Sequence, residues 1–195
     1  MPDELGGVLL VILAYFAGSF PTASIVGMIS GHDPAKEGSG NPGASNVYRT
    51  SGATYGLITV VVDVLKGLVP VLATLALVGR PWAAVVWASA TIGHVVPFGR
   101  WMRGGKGVAT GGGGALPLFP LLSLALVAVF FVVVRITRRA SVGSLAIAVL
   151  MPIGVTFVRV HDVELVASVV VSAIVLVRHR SNIVRLLRGS ELELR

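Results

Sequence analysis

Three polar segments interrupt an otherwise apolar chain of 195 residues, and each is built from residue types that bind phosphate. The first, residues 36–49, reads Lys-Glu-Gly-Ser-Gly-Asn-Pro-Gly-Ala-Ser-Asn-Val-Tyr-Arg. Its glycines Gly38, Gly40 and Gly43 let backbone N–H groups converge on an anion. Ser39, Asn41, Ser45 and Asn46 add side-chain donors, and Arg49 offers a planar fork for a phosphate. The three glycines also satisfy a G-x-G-x-x-G spacing. No strand precedes them, however, and the chain before them is an apolar helix, so a dinucleotide site is not indicated. The segment is a loop that either binds phosphate or serves only as a flexible Gly/Asn turn between two apolar helices.

The second segment is Arg103-Gly104-Gly105-Lys106-Gly107-Val108-Ala109-Thr110. It departs from a Walker loop twice: Gly107 follows Gly-Lys where Ser or Thr is required, and Arg100 stands at the upstream glycine position. What remains is a glycine-rich helix start carrying a lysine. That serves either as an oxyanion or phosphate cradle or as a basic anchor at a membrane interface. The third segment, 179–191, reads as a helix with His179, Asn182 and Arg185 on one face and Ile183, Leu186 and Leu187 on another. This is either a basic amphipathic helix lying on anionic lipid or a site helix, and His179 is its one side chain with general-base chemistry near neutral pH.

Asp63 and Lys66 lie three residues apart within an apolar run, either as a self-neutralising pair or as a functional one. His94 is open to the same two readings, while His32 and His161 read as solvated. There is no H-E-x-x-H and no paired-aspartate motif, so a metal is not indicated.

The elements that must position these segments follow from composition. Hydrophobic residues make up 54% of the chain and charged ones 13%, with no cysteine and a mean hydropathy of +0.87. A soluble domain carries roughly 25% charged residues. Half that share excludes an ordinary globular enzyme, a disordered chain and a nucleic-acid binder. Without cysteine there is no disulfide framework, thiolate metal site or thiol nucleophile. Apolar runs of membrane-crossing length fall at 5–29 (kinked over 18–22), 54–78, 82–98, 141–158 and 163–177. The first is no cleavable signal, since Asp3 and Glu4 precede it and it is too long.

Residues 107–134 contain Gly111, Gly112, Gly113, Gly114, Pro117 and Pro120. They allow one crossing, or two with a first helix over about 107–116 reaching only about 15 Å. Charge decides between the two. With the N-terminus outside and two crossings here, 13 of the 16 Lys and Arg residues face one side, the positive-inside pattern. That set comprises Lys36, Arg49, Arg100, Arg103, Lys106, Arg135, Arg138, Arg139, Arg178, Arg180, Arg185, Arg188 and Arg195. The expectation is therefore an all-α polytopic membrane protein, a single domain over 1–195. It has seven transmembrane helices, N-out/C-in, with a short fourth helix.

In order along the chain, five motifs resemble those of the PlsY family, the acyl-phosphate-dependent glycerol-3-phosphate acyltransferases of bacterial membranes. They are Gly18-Ser19-Phe20-Pro21, residues 38–49, Asp63-Val64-Leu65-Lys66-Gly67, residues 94–110 and residues 179–191. Departures are small: Val96 and Met102 stand where aromatics are common, and Arg100-Trp101 makes one loop unusually basic.

The resemblance implies transfer of a fatty acyl group from acyl phosphate to the 1-hydroxyl of sn-glycerol 3-phosphate, releasing lysophosphatidic acid and inorganic phosphate. It implies a bacterial inner-membrane enzyme working at the cytoplasmic face, in contact with the lipid bilayer, with no cofactor, nucleotide or nucleic acid. On that reading Ser39, Arg49, His179 and Asn182 form the candidate catalytic group, Asn182 orienting His179. Gly38, Gly40, Asn41, Gly43, Ser45, Asn46, Lys66, Gly104, Gly105, Lys106, Gly107, Thr110 and Arg185 form the candidate substrate and phosphate set. Asp63 and Glu191 are structural, Glu191 pairing with a basic residue. The competing reading is a multi-span transporter of a phosphorylated small molecule, although its polar residues would then be expected at the midplane rather than at one face.

Overall fold

The computed structural model describes residues 2–99 and 104–194, with Pro2 and Asp3 described by backbone only. Arg100, Trp101, Met102, Arg103 and Arg195, which entered the reading of charge and motifs, lie outside the described residues. Ten helices occur among those described: α1 (Pro2–Gly18), α2 (Thr22–Ser30), α3 (Ala44–Ser51), α4 (Ala53–Leu77), α5 (Arg80–Val95), α6 (Val108–Leu118), α7 (Pro120–Thr137), α8 (Ala140–Val158), α9 (Asp162–Arg178) and α10 (Arg180–Leu187). The all-α expectation holds, and no strand is present among the described residues. Four stretches are long and apolar enough to cross a membrane: Glu4–Ser30, Ala53–Leu77, Pro120–Thr137 and Ala140–Val158. The remaining expected crossings correspond to α5, α6 and α9, of 16, 11 and 17 residues.

The expected kink in the first run is the break between α1 and α2. Gly18 packs so closely on α5 that a Cβ there would overlap the Ala90 carbonyl oxygen. The Ser19 hydroxyl lies within hydrogen-bond reach of the Tyr15 and Gly93 carbonyls and accepts the Phe98 N–H at 3.2 Å. The break thereby fixes the chain that follows α5.

Residues 107–134 resolve into two helices, and the glycine run explains the shortness of the first. At eleven residues, α6 rises about 16 Å. A Cβ at Gly113 would overlap the Val64 carbonyl oxygen, and one at Gly67 the Thr110 carbonyl oxygen, so α4 and α6 touch backbone to backbone. This is small-residue packing of the kind that holds membrane helices together. Gly114 gives way to Trp87, which is fully buried and donates its indole N–H to the Gly111 carbonyl at 2.7 Å. Around it α5 presents Ala83, Ala84, Val86 and Ala90, all fully buried, as the centre of the bundle.

The two ends of α5 differ in chemistry. At its start, Arg80 is ion-paired with the fully buried Glu164 of α9 and donates to the Leu118 carbonyl at 2.7 Å. Glu164 also accepts the Val160 N–H at 2.8 Å. At its other end, about 22 Å away by helical rise, His94 and Val95 meet the polar segments.

Candidate functional site

The three polar segments converge. A groove of about 1030 Å³ is bounded by Ser39, Gly40, Asn41 and Pro42 from the first, Gly104 and Lys106 from the second, and Arg178, Arg180, Ser181 and Arg185 from the third. Val95, Val96, Pro97, Phe98 and Val177 supply an apolar wall. The groove therefore combines cations and donors with hydrocarbon in one lining.

Within the first segment the roles divide. Gly38 and Gly40 adopt left-handed backbone (φ 59° and 68°), and this turns the loop tightly around Ser39. Asn46 was expected to face phosphate, and here it organises the loop instead. Its amide donates to the Pro34 and Glu37 carbonyls at 2.8 and 2.9 Å and accepts the Ser39 N–H at 2.8 Å, so both ends are taken up by backbone and the side chain is buried. Gly43 precedes α3, a helix that the sequence reading took as loop, and Ser45 is exposed on it without lining the groove. Arg49 turns to the tail of the chain, donating from Nε to the Glu193 carbonyl at 3.1 Å and from Nη2 to the Leu192 carbonyl at 3.3 Å.

The second segment leans on the end of α5. A Cβ at Gly104 would overlap the Val95 carbonyl and one at Gly105 the His94 ring, so these glycines serve close approach. Gly107, at φ 83°, turns the chain into α6. Thr110 does not reach the groove: it is fully buried against α4, and its hydroxyl has no partner among the described residues. Lys66 is likewise absent from the groove lining. It donates to Asp63 at 2.7 Å, with His94 Nδ1 3.7 Å from the same carboxylate oxygen. This buried set faces a small adjoining cavity that also touches Gly105. The self-neutralising reading of Asp63 and Lys66 is the one the geometry carries.

In the third segment Glu191 is the hub. Its carboxylate accepts from Ser141 Oγ at 2.7 Å, Asn182 Nδ2 at 2.6 Å and Arg185 Nε at 2.7 Å. Burial alone would raise its pKa, but these three donors together hold it below the usual carboxylate range. The expected pairing of Glu191 with a basic residue is thus with Arg185. Asn182 Oδ1 in turn accepts from Lys106 Nζ at 2.6 Å, so the amide links the carboxylate to the ammonium. Burial lowers Lys106 to about 8.

Asn182 does not orient His179, since both ends of its amide are engaged elsewhere. The His179 ring folds back on its own helix, Nδ1 2.7 Å from the Val175 carbonyl, which makes Nδ1 the protonated nitrogen and fixes the tautomer. His179 is 2% exposed, sits at the elbow between α9 and α10, and does not line the groove. Burial pushes its pKa down to about 4, so the ring is neutral. Two contributors escaped the sequence reading. Ser141 anchors Glu191 from α8, and Arg178 holds the Gly104–Gly105 backbone. No spacing rule marks either, because their partners lie dozens of residues away in the chain.

Comparison with known proteins places this arrangement. The family model for glycerol-3-phosphate acyltransferase matches residues 8–189. The chain belongs to this family. Among curated glycerol-3-phosphate acyltransferases, that of Geobacter sulfurreducens is 43% identical over 96% of this chain and 97% of its own. That of Trichlorobacter lovleyi is 43% identical over 95% and 96%. The crystal structure of PlsY, described as an integral membrane glycerol 3-phosphate acyltransferase in its glycerol 3-phosphate form, superposes with a TM-score of 0.93 at 30% identity, covering 97% of this chain and 96% of that one. Its lysophosphatidic acid form gives a TM-score of 0.90 at the same identity. The acyltransferase fold thus accounts for nearly the whole chain, the short α6 included.

Proposed function

We propose that this acyltransferase moves a fatty acyl group from acyl phosphate to the 1-hydroxyl of sn-glycerol 3-phosphate, giving lysophosphatidic acid and inorganic phosphate. The observation that carries the reading is the mixed groove, lined by Lys106, Arg178, Arg180 and Arg185 together with Val95–Phe98 and Val177. Both substrates carry a phosphate, and one carries a hydrocarbon tail. The solved relatives in glycerol 3-phosphate and lysophosphatidic acid forms support the acceptor and product. The chain is read as one domain with seven crossings, N-out/C-in, in a bacterial inner membrane, with the groove at the cytoplasmic face, where the basic residues gather.

The step is direct attack. The acceptor oxygen bonds to the acyl carbon, the bond from that carbon to the phosphate oxygen breaks, and phosphate leaves with its electron pair. Ser39 and Ser181 are the hydroxyls on the groove wall, and among the described residues neither has a histidine or carboxylate partner, so a covalent acyl-enzyme lacks its activated nucleophile. The proton goes to a substrate phosphate. A phosphate monoester, with a second pKa of about 6, is a better base than an imidazole at about 4. His179 sets the elbow that aims Asn182 and Arg185.

Purified protein in detergent, supplied with acyl phosphate and glycerol 3-phosphate, is expected to release phosphate and lysophosphatidate in equal amounts. Acyl-CoA in place of acyl phosphate should give no product, and turnover only in sealed vesicles would return the transporter reading. His179→Ala is expected to lower kcat/KM about tenfold or more, as the elbow loosens, while leaving the acid limb of the pH profile in place. His179 is neutral above about pH 4, so its titration lies below that limb. Loss of the limb in the variant would make His179 the base.

A further inference from the structure

Arg178, the last residue of α9, lines the groove and commits two of its guanidinium nitrogens to backbone carbonyls. Nε donates to the Gly105 carbonyl at 3.1 Å and Nη2 to the Gly104 carbonyl at 2.8 Å. The same two residues are pressed from the other side by α5. The Gly105 N–H donates to the His94 carbonyl at 3.2 Å, and neither residue has room for a Cβ. The diglycine is therefore held between a helix end and a guanidinium fork, and the next residue is Lys106.

A glycine pair has the widest conformational freedom of any dipeptide, so nothing intrinsic would keep it in one shape. Two unrestrained carbonyls at the edge of a groove that receives phosphate would also present their negative ends to an anion. The fork answers both problems at once, because it engages the oxygens and restricts both peptide planes. We infer that Arg178 is a positioning residue for phosphate binding, which occupies the carbonyls of Gly104 and Gly105 and fixes the backbone from which Lys106 reaches Asn182. The assignment rests on the functional reading above and adds to it a residue that acts through its neighbours.

The planar two-donor fork is specific to arginine; lysine keeps the charge and loses the geometry. The test is steady-state kinetics of wild type, R178K, R178Q and R178K combined with K106M, in detergent, with acyl phosphate and glycerol 3-phosphate varied in turn. R178K is expected to raise the KM of a phosphate substrate about tenfold with a smaller change in kcat, the scale of one or two charge-assisted hydrogen bonds. R178Q should be at least as impaired. In the double variant the effect of R178K should largely disappear, because the clamp works through Lys106. Wild-type kinetics in R178K, or full additivity with K106M, would overturn the clamp and leave Arg178 as a simple charge. Failure of both single variants to give monodisperse protein would also overturn it, by assigning Arg178 to assembly of the bundle. An inactive wild type would instead count against the functional reading, so the two failures are distinguishable.

Discussion

Lys106→Met is expected to raise the KM of a phosphorylated substrate about 100-fold, the upper part of the range for a charge-assisted hydrogen bond to an anion. Lys106 is on the groove wall, and its only partner within the protein among the described residues is the neutral Asn182 amide oxygen. Its charge is thus available to substrate. The same residue sets a pH dependence. Burial is the main cause that brings its pKa down to about 8; Arg185, Arg49 and Arg178 lower it further, and Glu191 opposes them. Lysine is charged below that value and neutral above it, so kcat/KM should fall as pH rises through about 8. Bound phosphate favours the ammonium, which means that the limb should be weaker in kcat than in kcat/KM. Lys106→Arg keeps its charge at every working pH and should move the limb to higher pH. An unchanged KM for both substrates in K106M, or an unmoved limb in K106R, would remove Lys106 from the phosphate site.

The second large effect is on stability. Glu164→Ala is expected to cost about 3–5 kcal/mol, the range for removing one partner of a buried ion pair. Glu164 is fully buried and Arg80 is mostly so, with side-chain exposures of 0% and 28%. The loss leaves the mostly buried guanidinium without its counter-ion, still hydrogen-bonded to the Leu118 carbonyl, and frees the Val160 N–H as well. Thermal unfolding in detergent would show it. Because this pair lies at the far end of α5 from the groove, KM values measured well below the melting temperature should stay within about twofold. A variant that melts with the wild type would show that solvent or lipid headgroups already satisfy Arg80.

Much of the architecture was legible because hydrophobic length and charge bias are properties of the chain itself. The α1–α2 break followed from Gly18-Ser19-Phe20-Pro21, and the split of 107–134 into a short helix and a long one followed from its glycines, prolines and flanking cations. The convergence of the three polar segments was legible as well, since each placed phosphate-binding chemistry at one end of the helices. Their internal division of labour was not. Asn46, Lys66 and Thr110 look like ligand residues by type, yet Asn46 is taken up by carbonyls, Lys66 by Asp63, and Thr110 is buried where α6 meets α4, away from the groove. A backbone carbonyl carries no mark in a sequence, so a side chain committed to one cannot be told from a side chain free to bind substrate. His179 illustrates the same point. Its type suggests a base, while the Val175 carbonyl and its burial make it a structural elbow.

The hub carboxylate lies beyond the ten described helices. Glu191 follows α10, and it joins Ser141 of α8 to Asn182, and through Asn182 to Lys106. A chain still emerging from the ribosome has α1 to α10 before it has this residue. Lys106 then lacks the relay that holds it, and Arg185 lacks its counter-ion. Assembly of the site thereby waits on a residue made after these helices, so chains that have inserted only as far as α10 would carry the helices without the assembled cation cluster.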